Sequence, residues 1–188
     1  MASRSPQRRQ LLERLGVPFT VRVSDAPEIE QGSDPAQVAV ENARRKATAA
    51  HDGGVAEAVI GCDTIVVLDG TIYGKPPDEA AARTTMSALG GRTHEVISGL
   101  ALLLCEGGAQ VRLRTAVART QVSFRELDDE LLDWYAATGE WRDRSGGYAI
   151  QGLTGARLAV AVRGEEENVV GLPLGKLLEL YPELLNSF

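Results

Sequence analysis

The stretch Gly61-Cys62-Asp63-Thr64-Ile65-Val66-Val67-Leu68-Asp69-Gly70-Thr71-Ile72-Tyr73-Gly74-Lys75-Pro76 decides how the rest of the chain is arranged. It continues Ala58-Val59-Ile60, and a run this rich in Val and Ile reads as a buried strand. Asp63 breaks the pattern. Burying an unpaired carboxylate is costly, so Asp63 has to meet a cation, a set of donors, or a strand end opening into a cleft. Asp69-Gly70 is a hairpin-turn dipeptide that folds Thr71-Ile72-Tyr73 back along residues 65–68. The returning strand carries Lys75 toward the start of the first, so local geometry predicts a carboxylate and an ammonium, Asp63 and Lys75, as partners.

Composition bounds what can be built around this stretch. The 188 residues suit one domain, 1–188, or two small lobes, and 44% hydrophobic with 24% charged residues is ordinary for a soluble globule. The net charge of −6 argues against a general nucleic-acid or anionic-membrane binder, since those bind through basic surfaces. A small polyanion held by a local cluster of Lys and Arg stays open. No apolar run reaches the roughly 20 residues of a membrane span, and the N-terminus lacks a signal-peptide core, so the expected location is the cytoplasm. Cys62 and Cys105 both fall in apolar runs, which predicts buried core thiols in place of a disulfide or thiolate metal site.

Ser5-Pro6 reads as a helix start and Gly16 as its end. Arg4, Arg8 and Arg9 crowd that start, where the helix already carries positive partial charge; they either extend into solvent or serve a bound anion. Phe19 to Val23 alternates like a strand, and an acidic loop with Glu28 and Glu30 follows. Asp34-Pro35 opens a second helix to about His51, with Ala36, Ala39 or Val40, Ala43, Ala47 and Ala50 on its packed face and Arg44, Arg45 and Lys46 beyond that face or at its edge. Gly53-Gly54 ends it. Asp78 caps a third helix through Leu89. Thr93 to Cys105 and Gln110 to Phe124 form a long hairpin around Glu106-Gly107-Gly108-Ala109, with one face solvated. A fourth helix runs from Asp128 or Asp129 to Gly139. The polar, glycine-rich segment 140–152, with Arg142, Arg144, Tyr148 and Gln151, reads as a binding loop. Arg157 to Val162 reads as a strand and Leu174 to Tyr181 as a last helix.

Several familiar motifs fail. Gly70 to Pro76 is one residue short of a phosphate-binding P-loop, and Pro76 stands where a hydroxyl should reach magnesium. No dinucleotide fingerprint or serine-hydrolase elbow occurs. A Cys62–His94 nucleophilic pair has no support from spacing, and His94 reads as a hydrogen-bonded structural histidine.

With these residues in view, the chain resembles the Maf-type nucleoside triphosphate pyrophosphatases. The resemblance rests on Ser3 to Arg8, Ala43 to Ala47, Gly61 to Thr64, Gly74-Lys75-Pro76, Gly91 to His94, Thr120 to Phe124, Gly146 to Gly152 and Asn168 to Pro173, all in order. It implies an α/β fold like that of inosine triphosphate pyrophosphatases, with a long mixed β-sheet flanked by helices and a cleft between two lobes. It also implies a homodimer that hydrolyses a nucleoside triphosphate to the monophosphate and pyrophosphate with a divalent cation, Mg2+ or Mn2+. By the same resemblance Asp63 is the proton acceptor or metal ligand, Glu28 the second metal-side carboxylate with Glu30 as its neighbouring candidate, and Lys46 and Lys75 the phosphate-facing lysines. Ser5 and Arg8 become N-terminal phosphate and specificity contacts, and Arg144 a phosphate contact. Thr64 and Gln151 match the branch that prefers dTTP and UTP. A Gln side chain offers an acceptor and two donors, which suits the N3–H and a carbonyl of thymine or uracil. The rivals are CTP or a modified nucleotide with the same chemistry, and a catalytically weak nucleotide-binding regulator of cell division. This chain departs from the family at Met1-Ala2, which stands for its short first strand, at Gln7 in its arginine motif, at Pro27, and at Trp141 and Arg144-Ser145 in the loop.

Overall fold

The computed structural model describes residues 1–53, 56–106 and 110–186. Helix starts follow the sequence. The Ser5 hydroxyl accepts from the Arg8 amide ahead of α1 (Pro6–Arg14), and Asp34 accepts from the Ala36 and Gln37 amides ahead of α2 (Pro35–Ala50). Asp78 caps α3 (Glu79–Leu89); Asp128 caps α4 (Asp129–Thr138), which stops at Gly139 with φ of 69°. Each cap satisfies amides that the first helical turn leaves without partners.

Five strands, β1 (Ala56–Leu68), β2 (Thr71–Tyr73), β3 (Thr93–Glu106), β4 (Gln110–Phe124) and β5 (Ala159–Arg163), form one sheet in the order β2-β1-β3-β4-β5. Asp69 and Gly70, with φ of 50° and 77°, make the two-residue turn that the dipeptide predicts. The α/β class holds. Every pairing among the described strands is antiparallel, where the resemblance implied a mixed sheet; β1–β2 and β3–β4 are hairpins, and a hairpin can pair no other way.

Other local expectations also change. Residues 19–23 form no strand: Val21 and Val23 are exposed, and this segment runs beside Met1 through Met1 N to Thr20 O and Arg22 N to Met1 O. Arg157-Leu158 ends a short helix, α5 (Leu153–Leu158), before β5 begins, and α6 (Glu166–Val170) precedes α7 (Leu174–Leu180). On β4 the arginine side is partly covered, since Arg114 donates to the Leu180 carbonyl, while Leu113 is exposed. Gly54 and residues 107–109, on which the expected helix end and hairpin turn fall, lie outside the described residues.

What positions the site is the way α2 lies on the sheet. Ala39, Ala43 and Ala47 are fully buried, and they meet glycines: a Cβ at Gly61 would lie 2.1 Å from the Ala43 carbonyl oxygen, and one at Gly99 would lie 2.3 Å from that of Ala39. Helix backbone therefore rests directly on strand backbone, which brings the α2 side chains Asn42 and Lys46 down to Asp63. Gly61→Ala should force α2 outward, destabilising the protein by about 2–3 kcal/mol in urea unfolding. An unchanged midpoint would show that the helix can rise at no cost.

On the opposite face, Ile60 and Cys62 pack with Leu11, Leu12, Leu172 and Leu177, whereas Val66 and Leu68 pack with Met86, Leu89 and Tyr135. Thr64 falls between the two clusters. The outer edge of β1 is interrupted at the same level. Ala2 N donates to Ile60 O, β2 takes over opposite Val66, and among the described residues no strand flanks 61–65 on the edge away from β3. A cleft of about 890 Å³ opens at that break.

Candidate active site

Asp63, only 6% exposed, points from β1 toward α2. Lys46 Nζ donates to Asp63 Oδ1 at 2.6 Å and lies 2.6 Å from Glu28 Oε1, so one buried ammonium joins two carboxylates from separate elements. This corrects the local expectation for Lys75, since the cation against Asp63 comes from α2. Lys75 lines the same cleft beside Glu28. Burial tends to raise the Glu28 carboxyl, but the Lys46 hydrogen bond and the charges of Lys46, Lys75 and Arg8 outweigh it and hold the carboxyl below its ordinary value. Glu30 also lines the cleft, but Glu28 is the one that meets Lys46.

The arginine-rich start of α1 resolves into separate fates. Arg4 pairs with Asp25 and Arg9 with Glu13 at the surface, while Arg8 turns inward. Its Nε donates to Gly171 O at 2.8 Å, Nη1 to Ser3 Oγ at 3.2 Å and Nη2 to Thr64 Oγ1 at 3.2 Å. Thr64 Oγ1 also contacts Ser98 Oγ at 2.8 Å and the Gly171 carbonyl at 3.3 Å. The Thr64 hydroxyl is thus engaged inside the protein, where it fixes the Arg8 guanidinium. Ser5 is spent partly on capping α1 and donates to Gln7.

Loop 140–152 closes the far wall. Ser145 Oγ donates to the Thr64 carbonyl at 2.7 Å and Gly146 N to Gly74 O at 2.9 Å, which holds the loop against the β1 edge and the segment bearing Lys75. Arg144 and Gln151 line the cleft from this loop. Tyr148 anchors it from below, its hydroxyl 2.8 Å from Nε2 of the buried His94. Burial pulls His94 down to about 4, so the ring is neutral at neutral pH and serves as a fixed partner. Burial pushes the Cys62 thiol up, and its Sγ lies against Gly171 O, which removes the Cys62–His94 nucleophile from consideration.

The sequence-predicted residues Ser5, Arg8, Glu28, Lys46, Asp63, Thr64, Lys75, Arg144 and Gln151 all line one cleft. Asn42 and the Gly171 carbonyl were missed. Asn42 had a faint signal, being four residues before Lys46 and so on the same helix side, beside a face built mostly of alanine.

A cleft at a break in an α/β sheet edge, lined by cations from four elements and holding two carboxylates on one lysine, defines a site for a small polyanion. The sequence profile of the Maf-like protein family matches residues 1–184, and the chain belongs to that family. Among its relatives are a protein named dTTP/UTP pyrophosphatase from Anaeromyxobacter sp. (strain Fw109-5), 42% identical over 96% of this chain and 86% of the relative, and one of the same name from Pyrococcus furiosus, 40% identical over 100% and 97%. Among solved structures, a nucleoside-triphosphatase described as a dITP/XTP pyrophosphatase from Mycobacterium abscessus overlaps 67% of this chain and 73% of its own, at 22% identity and a TM-score of 0.39. That last likeness is too loose to bear on the site.

Proposed function

We propose that this protein hydrolyses dTTP and UTP to the nucleoside monophosphate and pyrophosphate, and so clears these nucleotides from the cellular pool. The observation that carries the reading is the Asp63–Lys46–Glu28 cluster at the floor of a cation-lined cleft. Relatives about 40% identical over nearly the whole chain are named for this activity.

In this reading Lys75, Arg8 and Arg144 neutralise the triphosphate and fix its orientation, and such positioning is most of what phosphoryl chemistry asks of a protein. Asp63 accepts the proton of the water that attacks the α-phosphorus, and pyrophosphate leaves in line. Gln151, with Arg8 held by Thr64, faces the pyrimidine ring.

The donor set fits a hard divalent cation. Among the described residues no group of three or more His, Cys, Asp or Glu converges, so the protein offers the two carboxylates Glu28 and Asp63, with phosphate and water left to complete the shell, the usual arrangement for magnesium. Bound there, Mg2+ or Mn2+ supplies charge neutralisation and a more acidic water. The reading also places a homodimer in the cytoplasm with no nucleic-acid or membrane partner. In support, net charge is −6, and no helix among the described residues is long and apolar enough to cross a membrane.

The test is a triphosphate panel assayed for pyrophosphate with Mg2+, with Mn2+ and after chelation. Expected are release from dTTP and UTP and loss of activity on chelation. Activity confined to purines or CTP rejects the substrate; undiminished turnover under chelation rejects the metal.

A further inference from the structure

We propose that Asn42 is a positioning residue, whose carboxamide keeps the Asp63 carboxylate and the Glu28 loop in register with each other. Asn42 is 2% exposed. Its Oδ1 accepts from the Ile29 amide at 2.7 Å, and its Nδ2 donates to the Ile29 carbonyl at 2.9 Å and to Asp63 Oδ2 at 3.0 Å. The first bond fixes the sense of the amide. Only an acceptor can meet the Ile29 N–H, so the NH2 end must face Asp63, and both its hydrogens are used.

A buried carboxamide costs free energy unless its groups are paired, and a leucine would suit a helix face made mostly of alanine. Here the partners are the main chain next to Glu28 and one oxygen of Asp63. Lys46 holds the other oxygen, so Asp63 is fixed by one cation and one neutral donor and its carboxyl plane cannot turn. The Glu28 loop likewise has two attachments to α2, an ionic one through Lys46 and a neutral one through Asn42. An arriving triphosphate competes for the lysine. It has no such claim on Asn42, which keeps the spacing of the two acids while the charges rearrange.

The catalytic half of this inference rests on the pyrophosphatase reading; the positional half does not. Asn42→Asp keeps the size and the acceptor for Ile29 N–H but replaces the donor to Asp63 with a carboxylate oxygen that repels it, and Asn42→Leu removes all three bonds. Expected is a kcat on dTTP lower by about 30- to 100-fold in both, with KM within about threefold, because misplacement by an ångström acts on the chemical step more than on binding. By NMR, the Asp63 side-chain carboxyl signal should move in both variants, and the Ile29 amide should exchange faster in the leucine variant. A kcat within threefold of wild type in each folded variant, or an unmoved Asp63 signal, overturns the proposal. If the wild type releases no pyrophosphate from dTTP or UTP, the substrate reading falls and the two NMR signals alone decide the role of Asn42. Circular dichroism selects the folded variants, and either one suffices.

Discussion

Asp63→Asn should lower kcat for pyrophosphate release by about 10³-fold and leave the fold intact. The expectation follows from what the amide keeps and what it loses. Asparagine has nearly the same shape, its one oxygen can still accept from either Lys46 Nζ or Asn42 Nδ2 although not from both, and Lys46 retains Glu28 at 2.6 Å, so the buried ammonium is not stranded. What disappears is an oxygen that can take a proton or bind a cation, and general-base catalysis alone is worth about 10²–10⁴ in rate. Thermal unfolding should therefore shift by no more than about 1–2 kcal/mol, because the surviving Lys46–Glu28 pair avoids the penalty of an uncompensated buried charge. Pyrophosphate release and a melting curve on the same preparation check both halves. Near-normal turnover in the variant would remove Asp63 from the reaction, and collapse of the fold would make its role structural.

Much of this arrangement was legible in the sequence wherever the cause is local. Ser5, Asp34, Asp78 and Asp128 cap helices because a short acceptor next to a helix start acts within three residues, and Asp69-Gly70 turns because both positions tolerate positive φ. Asp63 announced itself by chemistry, as a charge among aliphatic neighbours. Its partner was hidden. Lys75 is twelve residues on and joined by a hairpin, so local reasoning chose it. Lys46 reaches Asp63 because α2 lies on Gly61 and Gly99, and no nearby spacing encodes that contact. The alternation at 19–23 misled for the converse reason. A strand needs a neighbouring strand, and among the described residues this segment pairs with none, its main-chain bonds at Thr20 and Arg22 going to Met1. The wall formed by loop 140–152 was recognisable as a binding loop from composition, but its attachment to Thr64 and Gly74 is set by tertiary contacts alone.

The second large effect should come from Lys46→Met, which keeps the length of the side chain and removes its charge. Both carboxylates lie 2.6 Å from one nitrogen, so without it Asp63 and Glu28 face each other with no cation bridging them, and Glu28 is left with the longer-range charges of Lys75 and Arg8. Two unit charges about 5 Å apart repel by about 3 kcal/mol at an effective dielectric of 20. Glu28 is half-exposed and solvent screens part of that, while Asp63 is buried and loses its cation, so a destabilisation of about 2–3 kcal/mol is expected. In wild type the Glu28 carboxyl is held below its ordinary value, so its contribution is present above that ordinary value and is lost as pH falls through the lower folded one. The variant reverses the sign. With the lysine gone, protonating one acid relieves repulsion, so acidifying from pH 7 toward 5 should narrow the gap in melting temperature between variant and wild type. Turnover should fall by about 10²-fold or more, since the same ammonium is the only buried cation available to a phosphate at the floor of the cleft among the described residues. A variant that melts like wild type at both pH values would show that the lysine does not bind the two acids together in solution.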